Sequence, residues 1–314
     1  MSEFDLIERY FTWEDTPSNV SIAVGDDAAI LDVPPNKQLV TSIDTLISGV
    51  HFPEYTLPES IAHKALAVNL SDLAAMGATP AWFTLALTLP DIEEDWLSEF
   101  SSGLKNIAIQ NGIHLVGGDT TRGPLSISIQ VMGLVDKGRA LLRSGAKIGD
   151  KIYVTGTLGD AAAGLQSILG NLSLSKADKE YCEGRLNYPQ PRVIESTIIQ
   201  EFASACIDVS DGLLQDLSHI LHASDVGAEL NSNVLPLSTA LKKIENEQAR
   251  QFVLSGGDDY ELLFTIPENK EKEFLQEMQK KKKKISCIGV INHKYNEITD
   301  ENGQILTPMG YNHF

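Results

Sequence analysis

The residues of this chain that could do chemistry are its aspartates, and their placement says more than their number. Asp26-Asp27, Asp44, Asp72, Asp119, Asp208, Asp211 and Asp258-Asp259 nearly all stand at the end of an expected strand or helix, or in a turn, beside glycine or serine. At the carboxyl end of a strand in an α/β fold, an aspartate points into the crevice where ligands bind, and its short side chain holds a hard cation at little entropic cost. Each position also has a plainer reading. Gly25-Asp26-Asp27 taken singly is turn chemistry first, Asp211 could be the N-cap of the helix that follows it, and Asp72 could face solvent from its helix. Eight or so separate coincidences are a poorer explanation than one shared site.

Phosphate chemistry gives such a cluster a purpose. A nucleotide polyphosphate must have its charge neutralised before a second phosphate can approach in line. The chain has no GxxxxGK[ST] loop and no VAIK, HRD and DFG set, and its glycine-rich turns carry aspartate where a P-loop carries lysine. Two like charges ~4 Å apart repel by ~1 kcal/mol in water and ~4 kcal/mol at a protein surface, so carboxylates facing phosphates require cations between them. Mg²⁺, which takes carboxylates together with phosphate oxygens and water, is the natural candidate. Arg122 and Arg143 are the basic residues nearest these motifs, and either guanidinium could grip a phosphate or simply lie on the surface. His51 and the terminal Gly310-Tyr311-Asn312-His313-Phe314 are weaker signals by themselves.

The elements that must position these residues alternate strand and helix throughout. Residues 28–33 and 38–43 flank Pro34-Pro35-Asn36-Lys37 and read as a hairpin. Pro58 opens a buried helix that Gly77 and Pro80 stop, and a strand over 82–89 precedes an amphipathic helix over 93–110 that ends at Gly112. A short strand, 113–116, runs into Gly117-Gly118-Asp119, and 125–135 alternates like a strand with one buried face. Glycine and mixed charge over 136–150 mark a domain boundary, giving domains 1–138 and 139–314. Beyond it come a strand over 151–155, helical patterns on either side of the Tyr188-Pro189-Gln190-Pro191 break, and a strand over 205–209 leading through Ser210-Asp211-Gly212 into a helix. The SGGDDYE loop then precedes a strand over 262–266, a helix ending in the lysine run 280–284, and a strand over 285–291. Both halves are mixed α/β. The lysine run reads as a solvated helix terminus.

Composition narrows the class. With 43 acidic against 25 basic residues, the net charge of −18 opposes binding to nucleic acid or to an anionic membrane. Three scattered cysteines with no CxxC pair suggest neither a disulfide framework nor a zinc site. The N-terminus lacks a signal-peptide core and no apolar run is long enough to span a bilayer, so a cytoplasmic location is expected.

Taken in order, VGDDAAI, TSIDTLISGVHF, KALAVNLSDLAAMGATP, GGDTTRGPL, RSGAKIGD, VTGTLGD, IDVSDGL, SGGDDYEL and GYNHF cover essentially the whole chain. They resemble the thiamine-monophosphate kinases, of the superfamily that includes aminoimidazole ribonucleotide synthetase and selenophosphate synthetase. The resemblance implies a two-domain mixed α/β fold whose N-terminal sheet pairs across a homodimer into a barrel, with an active-site cleft built from both domains. It implies Mg²⁺ ligands, for several ions, at Asp27, Ser42, Asp44, Asp72, Asp119, Asp208 and Asp211, with a main-chain oxygen from Ile43. Nucleotide contacts would come from Gly118, Asp119, Arg143 and Ser210, and contacts to thiamine phosphate from His51, Asp258 and Tyr311. A monovalent cation is a further cofactor that this reading admits. Two positions depart from the family. Ile43 stands where threonine is usual, so only a main-chain role transfers, and Asp258 stands where glutamate is usual, one methylene longer.

The implied reaction is direct in-line transfer of the ATP γ-phosphoryl group to the phosphate of thiamine phosphate. No general base is expected, because a phosphate nucleophile is already deprotonated near neutral pH. One rival is another enzyme of the superfamily such as selenophosphate synthetase, whose pattern has a reactive cysteine or selenocysteine and a lysine near the N-terminus. This chain has no cysteine before Cys182 and no lysine before Lys37. The other is a non-catalytic acidic protein that binds divalent cations, which a nucleotide-dependent assay separates from a kinase.

Overall fold

The structure is a computed structural model that describes residues 2–13 and 17–310. It divides the chain into two compact units: one holds the chain up to Leu73 together with Ala78–Gly138, the other Ala74–Gly77 and the chain from Arg139 onward.

The first unit opens with helix α1 (Glu3–Phe11), capped by a reciprocal Ser2–Asp5 box. Strands β1 (Val20–Ile22) and β2 (Ile30–Leu31) follow, then β3 (Lys37–Ile47) and α2 (Pro58–Ala75). Next come β4 (Thr79–Leu89), α3 (Glu94–Asn111), β5 (His114–Arg122) and β6 (Ser126–Asp136). The main sheet has the order β3-β6-β4-β5, antiparallel except for the β4–β5 pair. Phe83, Leu85, Leu87, Ile127, Ile129 and Val131 are buried on the face towards the helices, each worth roughly 1.5–3 kcal/mol in surface removed from water. Helix α2 is buried along most of its length. It opens on Pro58, whose missing N–H costs nothing there, and stops at Gly77, which takes the left-handed conformation (φ 69°) that a side chain would resist. The ribbon β1–β2 packs through Val20, Ala23 and Leu31 against Trp82, Met132 and Leu134 at one end of the opposite sheet face. At the other end of that face Ile43 and Ile47 are exposed.

The second unit comprises β7 (Lys151–Thr155), α4 (Asp160–Ile168), α5 (Lys176–Asn187), α6 (Val193–Phe202), β8 (Ala205–Val209) and α7 (Leu213–Ser224). After these come β9 (Gly227–Leu230), α8 (Asn246–Ser255), β10 (Glu261–Ile266), α9 (Glu268–Lys280), β11 (Ile285–Asn292) and β12 (Ile298–Asp300). Its six-stranded sheet runs β12-β9-β11-β7-β10-β8. Strands β8 and β10 are buried at every residue, which is why they are mostly apolar, with Asp208, Glu261 and Thr265 as the polar exceptions.

Three sequence expectations are corrected. The turn at residues 34–37 forms, with Lys37 N–H donating to the Pro34 carbonyl, but its flanks do not pair. Strand β2 returns to β1, while β3 spends its full length on β6, eleven residue pairs that a two-residue strand could not rival. Gly117-Gly118-Asp119 lies inside β5 rather than in a turn after it, held by parallel pairing with residues 84–86 of β4. The stretch before the Tyr188–Pro191 break folds as two helices, α4 and α5, separated at Gly170 (φ 78°).

Candidate active site

In the first unit the acidic cluster is built from one strand and one helix. Side chains alternate along β3, so Ser42 and Asp44 share a face and Ile43 points to the other. Helix α2 brings Asn69 and Asp72, one turn apart, over that face. Ser42 Oγ donates to Asp72 Oδ2 at 2.6 Å, and the Asp44 N–H donates to Asn69 Oδ1 at 3.1 Å. Asn69 is itself fixed, its amide donating to the Ala65 carbonyl at 2.9 Å. Burial, and then the neighbouring charge of Asp72, push the Asp44 carboxyl up to about 6. Two carboxylates held close in a half-buried place oppose each other's ionisation, and a hard dication between them relieves that. Mg²⁺ in particular is satisfied by one or two carboxylates plus hydroxyl, phosphate and water oxygens. Among the described residues, no three His, Cys, Asp or Glu side chains gather to hold an ion by themselves.

His51 sits in the loop after β3. Its Nδ1 accepts the Ile47 N–H at 3.0 Å, which leaves a neutral ring carrying its proton on Nε2. The loop is pinned from α2 by Lys64, a buried residue whose ammonium donates to the His51 carbonyl at 3.2 Å. Asp119 and Gly118 are exposed on β5. Register places Asp119 in one row with Ala86, Ser128 and Thr45, next to the row of Gly118, Leu85, Ile129 and Asp44. Three inter-strand steps therefore separate Asp119 from β3, about 14 Å at the usual spacing, and alternation turns it to the face opposite Asp44. Asp27 is exposed in the β1–β2 connection, its N–H donating to Asp26 Oδ1 at 2.8 Å. The structure thus groups Ser42, Asp44 and Asp72 and leaves Asp27 and Asp119 apart from them. Arg122 is a surface residue bonded to Asp91 Oδ1 at 2.8 Å, beside a cavity of about 460 Å³ that Leu6, Leu89, Ile92, Thr120 and Thr121 help to line.

In the second unit, β8 delivers Asp208, buried, and then Ser210 and Asp211, half-buried. The SGGDDYE loop is hydrogen-bonded to this segment: Asp258 N–H donates to the Ser210 carbonyl and Tyr260 N–H to the Val209 carbonyl, both at 2.8 Å. Close approach demands glycine here, since a Cβ at Gly257 would strike the Ser210 carbonyl oxygen. Asp258 itself holds a left-handed conformation (φ 67°), and its Oδ1 accepts the Tyr260 hydroxyl at 3.1 Å. Arg143 is exposed, yet its charge is felt on α7: burial first and then Arg143 hold His219 below the usual imidazole range, with Asp211 pulling the other way. Arg143 and Asp211 therefore flank the same helix. Gly310 lies against the Asp211 carbonyl, while Tyr311 falls outside the described residues.

Sequence reasoning missed Asn69, Lys64 and Asp216, which hold these groups in place, and named Asp259 only as half of the Asp258-Asp259 pair. Asp216 alone left a legible signal, an acidic residue in the first turn of a helix. Asp259 is fully buried, and its Oδ2 accepts the Gly159 N–H at 2.7 Å at the start of α4, which has no side-chain cap of its own. Glu261, also buried, takes Thr155 Oγ1 at 2.6 Å, Arg185 at 2.8 Å and Arg192 Nε at 2.6 Å.

Residues 25–135 match the family model for the N-terminal domain of AIR synthase related proteins, and residues 147–300 that for the C-terminal domain. A thiamine-monophosphate kinase of Escherichia coli K12 is 51% identical over 269 residues, 85% of this chain and 83% of that protein. The crystal structure of thiamine-monophosphate kinase from Stenotrophomonas maltophilia K279a superposes with a TM-score of 0.87 at 45% identity, covering 92% of this chain and 93% of that one. AaThiL complexed with AMPPCP and TMP gives 0.80 at 31% identity over 99% and 96%. With both halves of the AIR synthase related fold present and this identity over most of its length, the chain belongs to the thiamine-monophosphate kinase family.

Proposed function

We propose that this chain catalyses Mg²⁺-dependent transfer of the ATP γ-phosphoryl group to the phosphate of thiamine phosphate, giving thiamine diphosphate and ADP. The observation that carries the reading is the Ser42, Asp44 and Asp72 cluster, in which two carboxylates and a hydroxyl are gathered in a half-buried place and Asp72 opposes ionisation of Asp44. The relative solved with AMPPCP and TMP supports the choice of substrates, since an ATP analogue occupies that protein. Mg²⁺, when bound, neutralises phosphate charge and aligns attacking and leaving oxygens. Asp44, Asp72, Ser42 and the Ile43 carbonyl would hold one ion on the first unit, while Asp27 and Asp119 there, and Asp208 and Asp211 on the second unit, would be ligands for further Mg²⁺ ions.

The remaining work is orientation. Gly118 and Asp119 on residues 1–138, and Arg143 and Ser210 on residues 139–314, bind the nucleotide in this reading. His51 Nε2–H donates to the substrate phosphate from a ring already fixed through Nδ1. Asp258, steadied by Tyr260, takes the place of the longer glutamate, and Tyr311 completes the substrate contacts. No residue removes a proton, because the attacking phosphate oxygen carries none near neutral pH. The enzyme acts as a homodimer, paired through the sheet face that exposes Ile43 and Ile47. The test is formation of thiamine diphosphate from ATP and thiamine phosphate with and without Mg²⁺. No product from folded protein at any Mg²⁺ concentration would sink this reading.

A further inference from the structure

The segment that offers Ser210 and Asp211 is tethered by a carboxylate outside the assigned site. Asp216, in the first turn of α7 and 2% exposed, places Oδ2 where it accepts three consecutive main-chain N–H groups, those of Ser210, Asp211 and Gly212, each at 3.1 Å. Three donors converging on one oxygen fix the peptide planes of all three residues. The carbonyls on the other side are fixed too, since Val209 and Ser210 accept from Tyr260 and Asp258. Gly212 completes the turn at φ 124°, packed close enough to the Ser255 backbone that a Cβ there would press on it. With its main chain clamped from both sides, the loop holds the side chains of Ser210 and Asp211 in set positions.

We infer that Asp216 is a positioning residue for phosphoryl transfer: it clamps the Ser210-Asp211-Gly212 main chain so that Ser210 meets the nucleotide and Asp211 the Mg²⁺ without reorganisation. This rests on the kinase reading above, and it differs from a helix cap that only stabilises α7. A cap would change stability and leave ligand binding alone. A preorganised loop shows its loss in binding, because the cost of ordering it is then met by the ligand.

The test compares Asp216→Asn with Asp150→Asn, another buried, hydrogen-bonded carboxylate of the same unit that contacts none of the assigned residues. Two readings are taken: half-saturating MgATP in the kinase assay, and deuterium uptake at the amides of residues 210–212 without nucleotide. Asp216→Asn is expected to raise half-saturating MgATP and to speed exchange at those amides, each about tenfold or more, as replacing a carboxylate shared by three donors with a weaker amide acceptor implies. Asp150→Asn is expected to do neither at a similar loss of Tm. Free exchange at 210–212 in folded wild type, or a MgATP shift no larger than that of Asp150→Asn, overturns the inference. If Asp216→Asn does not fold, Asp216→Glu replaces it: the oxygen moves by on the order of 1 Å with its charge kept. It should weaken MgATP binding while sparing Tm, and unchanged binding overturns the inference. Wild type that folds but makes no thiamine diphosphate sinks the kinase reading, and the exchange reading then decides the tether separately.

Discussion

At the scale of single residues, the site is a set of charges held where water would not choose to leave them. Asp44 is the sharpest case, with burial and Asp72 both opposing its ionised form. Asp44→Asn should lower kcat roughly 10²-fold or more, as loss of a metal-holding carboxylate does. It should also raise the Tm of the Mg²⁺-free protein, because the repulsion with Asp72 disappears. Calorimetry without Mg²⁺ separates this from simple damage, which would lower Tm. Asp259 makes a prediction about pH. Burial raises its carboxyl well above the unfolded value of 3.8, partly offset by the Gly159 N–H and Arg185. The folded state therefore holds a proton that the unfolded state releases as pH rises past about 4, and stability falls from there upward. Asp259→Asn removes that loss while keeping an oxygen for Gly159, so its Tm gain should be large at pH 8 and nearly absent at pH 4.5. A gain equal at both would refute the argument.

At the scale of elements, close backbone approach decides more than helix or strand preference. A Cβ on Gly118 would collide with the Leu85 carbonyl oxygen, so Gly118→Ala forces β5 away from β4. A loss of about 2–4 kcal/mol is expected, as for other core clashes, measured by urea unfolding together with lost nucleotide binding. This close contact also marks the limit of what the sequence shows. Elements set by local period were legible: α2 with its Pro58 and Gly77 ends, α3 with Gly112, and the alternation of β6. Pairing was not, because partners are chosen over long separations. Gly117-Gly118 looks like a turn until β4 lies beside it, and the Pro34-Pro35 turn looks like a hairpin until β6 claims β3. In the site, ligand-bearing residues stood out by type and neighbours, whereas Asn69 and Lys64 read as ordinary helix residues and Asp216 only as an acidic residue of a first helical turn. Their roles depend on which backbone groups they meet across 4 to 25 positions of chain.

At the scale of the whole molecule, the exposed sheet face carries the dimer prediction. Ile43 is 62% exposed and points away from the Asp44 cluster, so its side chain can change without touching the main-chain oxygen proposed for Mg²⁺. Ile43→Glu should convert the dimer to monomer by light scattering while the monomer keeps its far-UV spectrum. A variant that stays dimeric removes this face as the interface. The boundary between the units has a different consequence. The end of α2 and the turn after it, Ala74–Gly77, belong with the second unit, where their carbonyls accept from Ser196 Oγ, from Leu141 N–H at 3.0 Å and from Gln200 Nε2 at 2.8 Å. Ala74 and Ala75 also pack into a core with Ile199 and Phe264. The gene therefore has no clean seam at residue 138. A chimaera that takes residues 139–314 from a relative has that relative's core plugged by this chain's own 74–77 unless those four residues are exchanged with it, and recombination within this family is constrained by a stretch some sixty positions upstream of the obvious crossover.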